Sequence, residues 1–308
     1  MTAGQARGET VLALDVGGTK IAAGLVDGSG RVLRSARTPT PVGADAEQLW
    51  DAVRGLLDDV ARGAAYTGVG IGCGGPMRWS AGLVSPLNIP GWRDFPLLDR
   101  VRERYAGDRP ARLHNDAVAV AVAEARWGAG RGSANVMGMV VSTGVGGGLV
   151  LGGHRIDGGS GNAGHVGHVV VEPAGPPCAC GGRGCLEAVA RGPAIAADAV
   201  ARGWAGEPTA LAVARGARSG DSACAAAFDR AGTALGRAIA SAVALLDLDV
   251  VCIGGGVARA GDLLFDPLRA AYHQHARMRY QQRARIGPAR LGPDVGLAGA
   301  AALVLGEH

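Results

Sequence analysis

No part of this chain is strongly charged in one sign. Its 31 Lys and Arg against 27 Asp and Glu leave a formal charge of +4 over 308 residues. The basic residues are dispersed, so there is no stripe to meet a nucleic acid or a membrane surface, and a small-molecule partner is the expectation. No apolar run approaches the ~18–20 residues of a membrane span. The opening MTAGQARGET lacks the apolar core of a signal peptide, so the expected location is the cytoplasm, where cysteines stay reduced. Lysine is almost missing as well, Lys20 being the single one among arginines. What is plentiful is apolar surface. Hydrophobic residues make up 48% and charged ones 19%, a balance that folds and excludes disorder.

The length suits two lobes of roughly 100–200 residues each. TVLALDVGGTKIAAGLVDGSGRVL (10–33) reads as strand, glycine turn, strand, turn and third strand. Residues 46–63 have apolar side chains at helical spacing, YTGVGIGCGGPM (66–77) is a buried strand ending in glycines, and 85–97 is a loop before a short helix. ARLHNDAVAVAVAEARWGAG (111–130) is a strand that breaks into an alanine-rich helix at Asp116. NVMGMVVSTGVGGGLVLGG (135–153) repeats the opening plan about one lobe later, which reads as an internal duplication. Helices follow over 186–247, then a strand, glycine loop and helix over 250–272, and a closing helix from 296.

A hairpin turn made of Asp15, Val16, Gly17, Gly18, Thr19 and Lys20 presents backbone N–H groups without Cβ obstruction. Such a turn either holds a phosphate oxygen or is an ordinary hairpin. The lone lysine supplies a compact charge suited to phosphate. Asp15 suits Mg²⁺, which favours one or two carboxylates plus substrate phosphates. STGVGGG (142–148) offers Thr143, Gly144, Gly146 and Gly147 in the same way, and Gly254–Gly256 opens a helix where Gly255 and Gly256 admit a nucleotide close to backbone. Both leading turns sit between strands, so neither G-x-x-x-x-G-K-[ST] nor G-x-G-x-x-G in a βαβ unit describes them. Of six cysteines, Cys73, Cys224 and Cys252 lie in apolar contexts and read as core, whereas Cys178, Cys180 and Cys185 cluster. With His168 they compose a one-nitrogen, three-sulfur set for structural zinc; a redox pair or disulfide is the alternative.

From about Val11 to about Leu305 the chain resembles the ROK family of sugar kinases and related repressors. HVVVEPAGPPCACGGRGCLE (168–187) matches the family's zinc signature H-x₉-C-x-C-G-x-x-G-C-x-E, and LDVGGTK, Asn115-Asp116, STGVGGG and IGGGV follow in the family's order. The resemblance implies a two-lobed, actin-like, ribonuclease H-like duplicated α/β fold with nucleotide and sugar in a cleft between lobes. The first lobe is expected over 1–117, completed by a closing helix over 296–308, and the second over 118–295 with the zinc loop. It implies an ATP- and Mg²⁺-dependent hexose kinase, assembled as a homodimer or homotetramer, with Asp116 as the base for the attacking hydroxyl. An N-cap is the bland reading of that aspartate. Asn115, Asn88 and Gly75 would line the sugar pocket, with Gly74 standing where the family often has proline and loosening that loop. His168 and Glu187 would also help place the sugar. Family repressors carry a DNA-binding segment ahead of the first turn, and here Asp15 arrives too early for one.

Gly164-His165-Val166-Gly167-His168 departs from the family's G-E-x-G-H, whose glutamate hydrogen-bonds sugar hydroxyls. A charged acceptor has become an imidazole that donates as well as accepts. Bacterial N-acetylmannosamine kinases share the replacement, so it points to an amino or N-acylamino hexose, N-acetylmannosamine or kanosamine. The alternatives are a tolerated variant in a glucokinase and, from a different class, a non-catalytic sugar sensor. His114, His154, His273, His275 and His308 match no motif and default to surface or structural roles.

Overall fold

The computed structural model describes residues 8–305; residues 306–308 of the expected closing helix, His308 among them, lie outside the described residues. The chain divides into two compact units: Met1–Arg131 with Asp157–Ala163 and Arg290–His308, and Gly132–Ile156 with Gly164–Ala289. The division therefore falls at 131 and not at the expected 117. Helix α3 (Asp116–Trp127), which follows that point, packs on the closing helix α9 (Val295–Leu305) inside the first unit. The excursion 157–163 carries no periodic pattern that sequence reading could assign to the first unit.

In the first unit, β1 (Thr10–Val16), β2 (Lys20–Asp27) and β3 (Val32–Pro39) form the expected antiparallel meander. β4 (Gly68–Cys73) and β7 (Ala111–Asn115) add on parallel to β1, giving the order β3-β2-β1-β4-β7. β1 and β4 are almost wholly apolar because helices cover both faces of the sheet. β3 lies at the edge and carries Arg34 and Arg37, a charged rim that blocks further pairing. Helix α1 (Ala46–Ala61) starts at a capping box in which Asp45 accepts from the N–H groups of Glu47 and Gln48. It buries Leu49, Trp50, Val53, Leu57 and Val60 on one face. A small hairpin of β5 (Met77–Arg78) and β6 (Leu83–Val84) precedes helix α2 (Leu97–Val101).

Helix α9 is apolar all round because it is buried on every side. Its small residues permit a backbone approach that larger ones would block: a Cβ on Gly70 of β4 would come within 1.9 Å of the Ala300 carbonyl oxygen, and one on Gly299 within 2.7 Å of the α3 backbone. Glu124 of α3 is fully buried, and its carboxylate accepts the N–H groups of Ala129 at 2.7 Å and of Arg290 and Leu291 at 2.9 Å. It satisfies backbone donors where the chain leaves the unit and where it returns.

The second unit contains β8 (Val136–Val141), β9 (Val145–Leu151) and β10 (His154–Ile156), then helices α4 (Leu186–Ala190), α5 (Gly192–Ala201), α6 (Ala210–Arg218) and α7 (Ser222–Leu246). β11 (Val250–Gly254), α8 (Asp262–His275) and β12 (Arg285–Pro288) complete it. Its sheet runs β10-β9-β8-β11-β12, with the first three strands antiparallel and β8, β11 and β12 parallel. That is the first unit's order over again, in agreement with the duplication. Its core joins Met137 and Met139 of β8 to Phe228, Leu235 and Ile239 of α7 and Leu264 and Leu268 of α8. Cys73, Cys224 and Cys252 are buried, as expected of core residues.

Candidate active site

In the first unit the register sets Asp15 opposite Gly72, Gly72 opposite His114, and Cys73 opposite Asn115. Asp15 and Asp116 thus arrive together at the carboxyl ends of parallel strands, where open α/β sheets bind their ligands. Gly72 keeps the space above it clear: a Cβ there would lie 3.7 Å from the Asp116 Cα and 3.9 Å from an Asp15 carboxylate oxygen. Burial first, and the Asp116 charge second, push the Asp15 carboxyl up from 3.8 to about 7, against the opposing pull of Lys20 and Arg37. The same burial and the two acids hold the Cys73 thiol protonated.

The shift has a stability consequence. Below about pH 4 Asp15 is protonated in the folded and unfolded chain alike; between 3.8 and about 7 only the folded protein holds the proton, so stability falls as pH rises through that window. Asp15→Asn is therefore expected to gain stability relative to wild type between pH 5 and pH 8 in metal-free buffer, measured by urea midpoints. An unchanged difference between the two proteins would contradict the shift.

The first glycine turn is braced from within. Gly17 donates its N–H to the Lys20 carbonyl at 3.0 Å, and Thr40 donates its hydroxyl to the Gly17 carbonyl at 2.7 Å and its N–H to that of Thr19 at 3.1 Å. Gly17 therefore shapes the turn, and the exposed residues Gly18, Thr19 and Lys20 are the ones it presents outward. Gly18 has to be glycine because a Cβ would come within 2.5 Å of the Asn88 Cβ, so the turn and Asn88 are in contact. The loop at Gly75 is held by N–H donation from Leu87 to the Gly75 carbonyl and from Ser85 to the Pro76 carbonyl.

Helix α3 starts where expected, but Asn115 is its cap: its side-chain oxygen accepts the Ala117 N–H at 3.0 Å. Asp116 is the first helical residue, and its Oδ1 also accepts the Ala117 N–H, at 2.8 Å. Asn115 is 7% exposed, and with its oxygen engaged it is the amide N–H₂ that can meet a ligand.

In the second unit the turn after β8 closes with Ser142 N–H on the Gly144 carbonyl at 2.8 Å. Glu187 of α4 pins it by accepting the Val145 N–H at 2.9 Å, and a Cβ on Gly144 would lie 2.8 Å from that carboxylate oxygen. Gly192, at the start of α5, donates to the Ser142 carbonyl at 2.8 Å. Gly255 has φ +93° and backs onto Val141, where a Cβ would fall 2.3 Å from the carbonyl oxygen, and a Cβ on Gly256 would sit 3.6 Å from the Ser142 hydroxyl. Thr143, Gly144, Gly255 and Gly256 are thereby gathered. Gly146 and Gly147 lie beyond that turn. The loop is only three residues long, so both already lie in β9 opposite Val140 and Met139, and Gly147 is buried against Gly164 and Val166. The third glycine run opens a 3₁₀ turn at Val257–Ala260 before α8 begins.

His168, Cys178, Cys180 and Cys185 bring their ligand atoms within 4.8 Å of one another. His168 Nδ1 lies 3.8 Å from Cys178 Sγ, and Cys180 Sγ 3.8 Å from Cys185 Sγ. Ligands at tetrahedral zinc distances of about 2.3 Å for sulfur and 2.0–2.1 Å for nitrogen stand roughly 3.5–3.8 Å apart, the separation of these two pairs. Burial drives the Cys185 thiol up to about 12, aided by the neighbouring thiols, while the Gly182 N–H lowers that of Cys180. Gly184 makes the loop possible: its φ is +70° and a Cβ would meet the Glu172 carbonyl oxygen at 1.6 Å. Segment 164–168 lies along β9, with a Cβ on Gly167 excluded by the Val145 carbonyl oxygen at 2.0 Å. The His165 ring stands nearly parallel to that of His168, 6.2 Å between centroids. His154, His273 and His275 are exposed. His114 is instead deeply buried and hydrogen-bonded to Asp157, a pairing that 43 residues of separation hid from sequence reading.

Residues 11–307 match the model of the ROK family. A glucokinase of Thermotoga maritima is 34% identical over 309 residues, covering 96% of each chain. An N-acetylmannosamine kinase of Yersinia pseudotuberculosis is 39% identical over 252 residues, 81% of this chain and 83% of its own. Among solved structures, a ROK family glucokinase from Streptomyces griseus in complex with glucose and AMPPNP superposes with a TM-score of 0.83 at 33% identity, covering 96% of this chain and 99% of that one.

Proposed function

This chain belongs to the ROK family, and we propose that it is an ATP-dependent kinase that transfers the γ-phosphoryl group to the 6-hydroxyl of a hexose, preferring an amino or N-acylamino hexose. The observation that carries the reading is the pair Asp15 and Asp116 at the strand ends, beside a glycine turn bearing the only lysine. Asp116 accepts the proton of the sugar hydroxyl as its oxygen bonds to the γ-phosphorus and the bond to the β-phosphate oxygen breaks, releasing ADP. Asn115, through its amide, and Asn88 hold neighbouring hydroxyls. Gly18, Thr19 and Lys20, with Thr143, Gly144, Gly255 and Gly256, receive the nucleotide. Asp15 would hold Mg²⁺, which when bound neutralises phosphate charge. His168 and the three cysteines would hold a structural zinc, and their loop leads to Glu187.

His165 is the residue that points to a modified hexose. It stands beside His168, where an imidazole both donates and accepts, and a relative sharing 39% of residues is an N-acetylmannosamine kinase. Glucose is the second reading, supported by the Thermotoga maritima glucokinase. A non-catalytic sensor would have no use for Asp116 and the glycine turns.

The test is an ADP-release assay with ATP and Mg²⁺ across glucose, mannose, N-acetylglucosamine, N-acetylmannosamine and kanosamine. An amino or acylamino sugar is expected to lead in kcat/KM by about tenfold, equivalent to about 1.4 kcal/mol of transition-state binding. A lead for glucose would make His165 a tolerated variant. Tight sugar binding without turnover would favour the sensor.

A further inference from the structure

Strand β7 ends in His114 and Asn115, Asp116 opens the helix that follows, and of the three only Asn115 and Asp116 have a part in the reading above. His114 is 1% exposed, and its Nδ1 accepts the N–H of Asn115 at 2.8 Å. A ring nitrogen that accepts from a backbone N–H carries no proton, so the neutral ring holds its proton on Nε2. That nitrogen lies 2.9 Å from the Asp157 carboxylate, which is 21% exposed. The tautomer is therefore fixed from both sides, by a backbone donor and by a carboxylate acceptor.

The segment bearing Asp157 is attached at a second point. Gly161, with φ +79°, lies against Trp79 so closely that a Cβ would come within 2.7 Å of the tryptophan Cβ. Trp79 tilts over the His114 imidazole at 5.6 Å and donates its indole N–H to the Leu113 carbonyl at 3.0 Å. Within the segment, Ala163 donates its N–H to the Asp157 carbonyl at 3.0 Å. Asp157 and Gly161 thus grip one side chain each, and both side chains bear on the last residues of β7.

We propose that Asp157 and His114 are a positioning pair for Asp116, an inference that rests on Asp116 being the base. Asp157 holds the ring, and the ring's Nδ1 holds the peptide N–H of Asn115. Asn115 and Asp116 then share the Ala117 N–H, which sets both side chains at the first turn of α3. The base is oriented through a chain of hydrogen bonds that starts outside the strand and ends at its own carboxylate. Small errors in the placement of a reacting group are costly in rate, so the pair is expected to show in kcat more than in KM.

Asp157→Ala removes the acceptor, whereas Asp157→Asn restores an oxygen that accepts from Nε2–H. With the best hexose of the panel, Asp157→Ala is expected to lower kcat by about tenfold with KM for ATP unchanged, and Asp157→Asn to stay within about threefold of wild type. Full-rate turnover by Asp157→Ala, or equal impairment of both variants, overturns the proposal. A second measurement needs no variant and no turnover: nitrogen-15 spectra of the histidines at neutral pH should show His114 as the Nε2–H tautomer with a slowly exchanging ring proton. An Nδ1–H tautomer or an imidazolium overturns it equally. The two readings fail separately. Turnover by Asp116→Asn removes the base assignment, while an inactive Asp116→Asn beside a fully active Asp157→Ala removes the positioning pair alone.

Discussion

Asp116→Asn is expected to lower kcat by about 10²- to 10⁴-fold, the range for loss of a positioned general base. Hexose affinity, measured by calorimetry in the absence of nucleotide, should stay within a few-fold. The separation is expected because of where the residue sits. Asp116 is the first residue of α3 and its Oδ1 accepts the Ala117 N–H at 2.8 Å, a bond that an asparagine oxygen can also make. The helix cap itself belongs to Asn115, so the substitution leaves the start of the helix in place. What it removes is a group that can take a proton. Turnover within a few-fold of wild type would rule out Asp116 as the base, and a parallel loss of sugar binding would mean that it holds the sugar and does not only activate it.

Cys180→Ser should release zinc and lower Tm by at least about 5 °C, the shift that ~2 kcal/mol produces in domains of this size. Cys180 is the informative choice because it is exposed, while Cys178 and Cys185 are buried. Its replacement opens no cavity, so a fall in stability reports the metal and not the packing. ATP affinity should fall less, since the loop lies one step away from the glycine turn, joined to it through Glu187 and the Val145 N–H. Metal analysis of the wild type comes first: one zinc per chain is expected, and none would leave three thiols and an imidazole without a metal.

Both predictions start from residues that the sequence itself marks out. The meander, the break at Asp116 and the zinc spacing are local patterns, and local patterns survive into structure because the neighbours that matter are close in sequence. The failures are of the opposite kind. Gly146 and Gly147 look like part of a phosphate turn, but the strand resumes at Val145, and only pairing with β8 reveals it. The boundary expected at 117 is misplaced because nothing near that residue shows that α3 will pack on a helix from the far end of the chain. His114 has an unremarkable local context, and its meaning lies in Asp157, 43 positions on. Gly17 is a subtler case: it is required in the turn, but its N–H is already engaged with the Lys20 carbonyl.

Helix α9 has a consequence for synthesis. The sheet of the first unit is made early, yet one face of it is covered by residues 295–305, with Gly70 of β4 pressed against the Ala300 backbone. A chain emerging from its N-terminus therefore holds an apolar sheet face uncovered while the whole of the second unit is translated. The second unit has its strands and helices in hand by Ala289 and can complete its own core first. The unit that begins the chain is the one that finishes last.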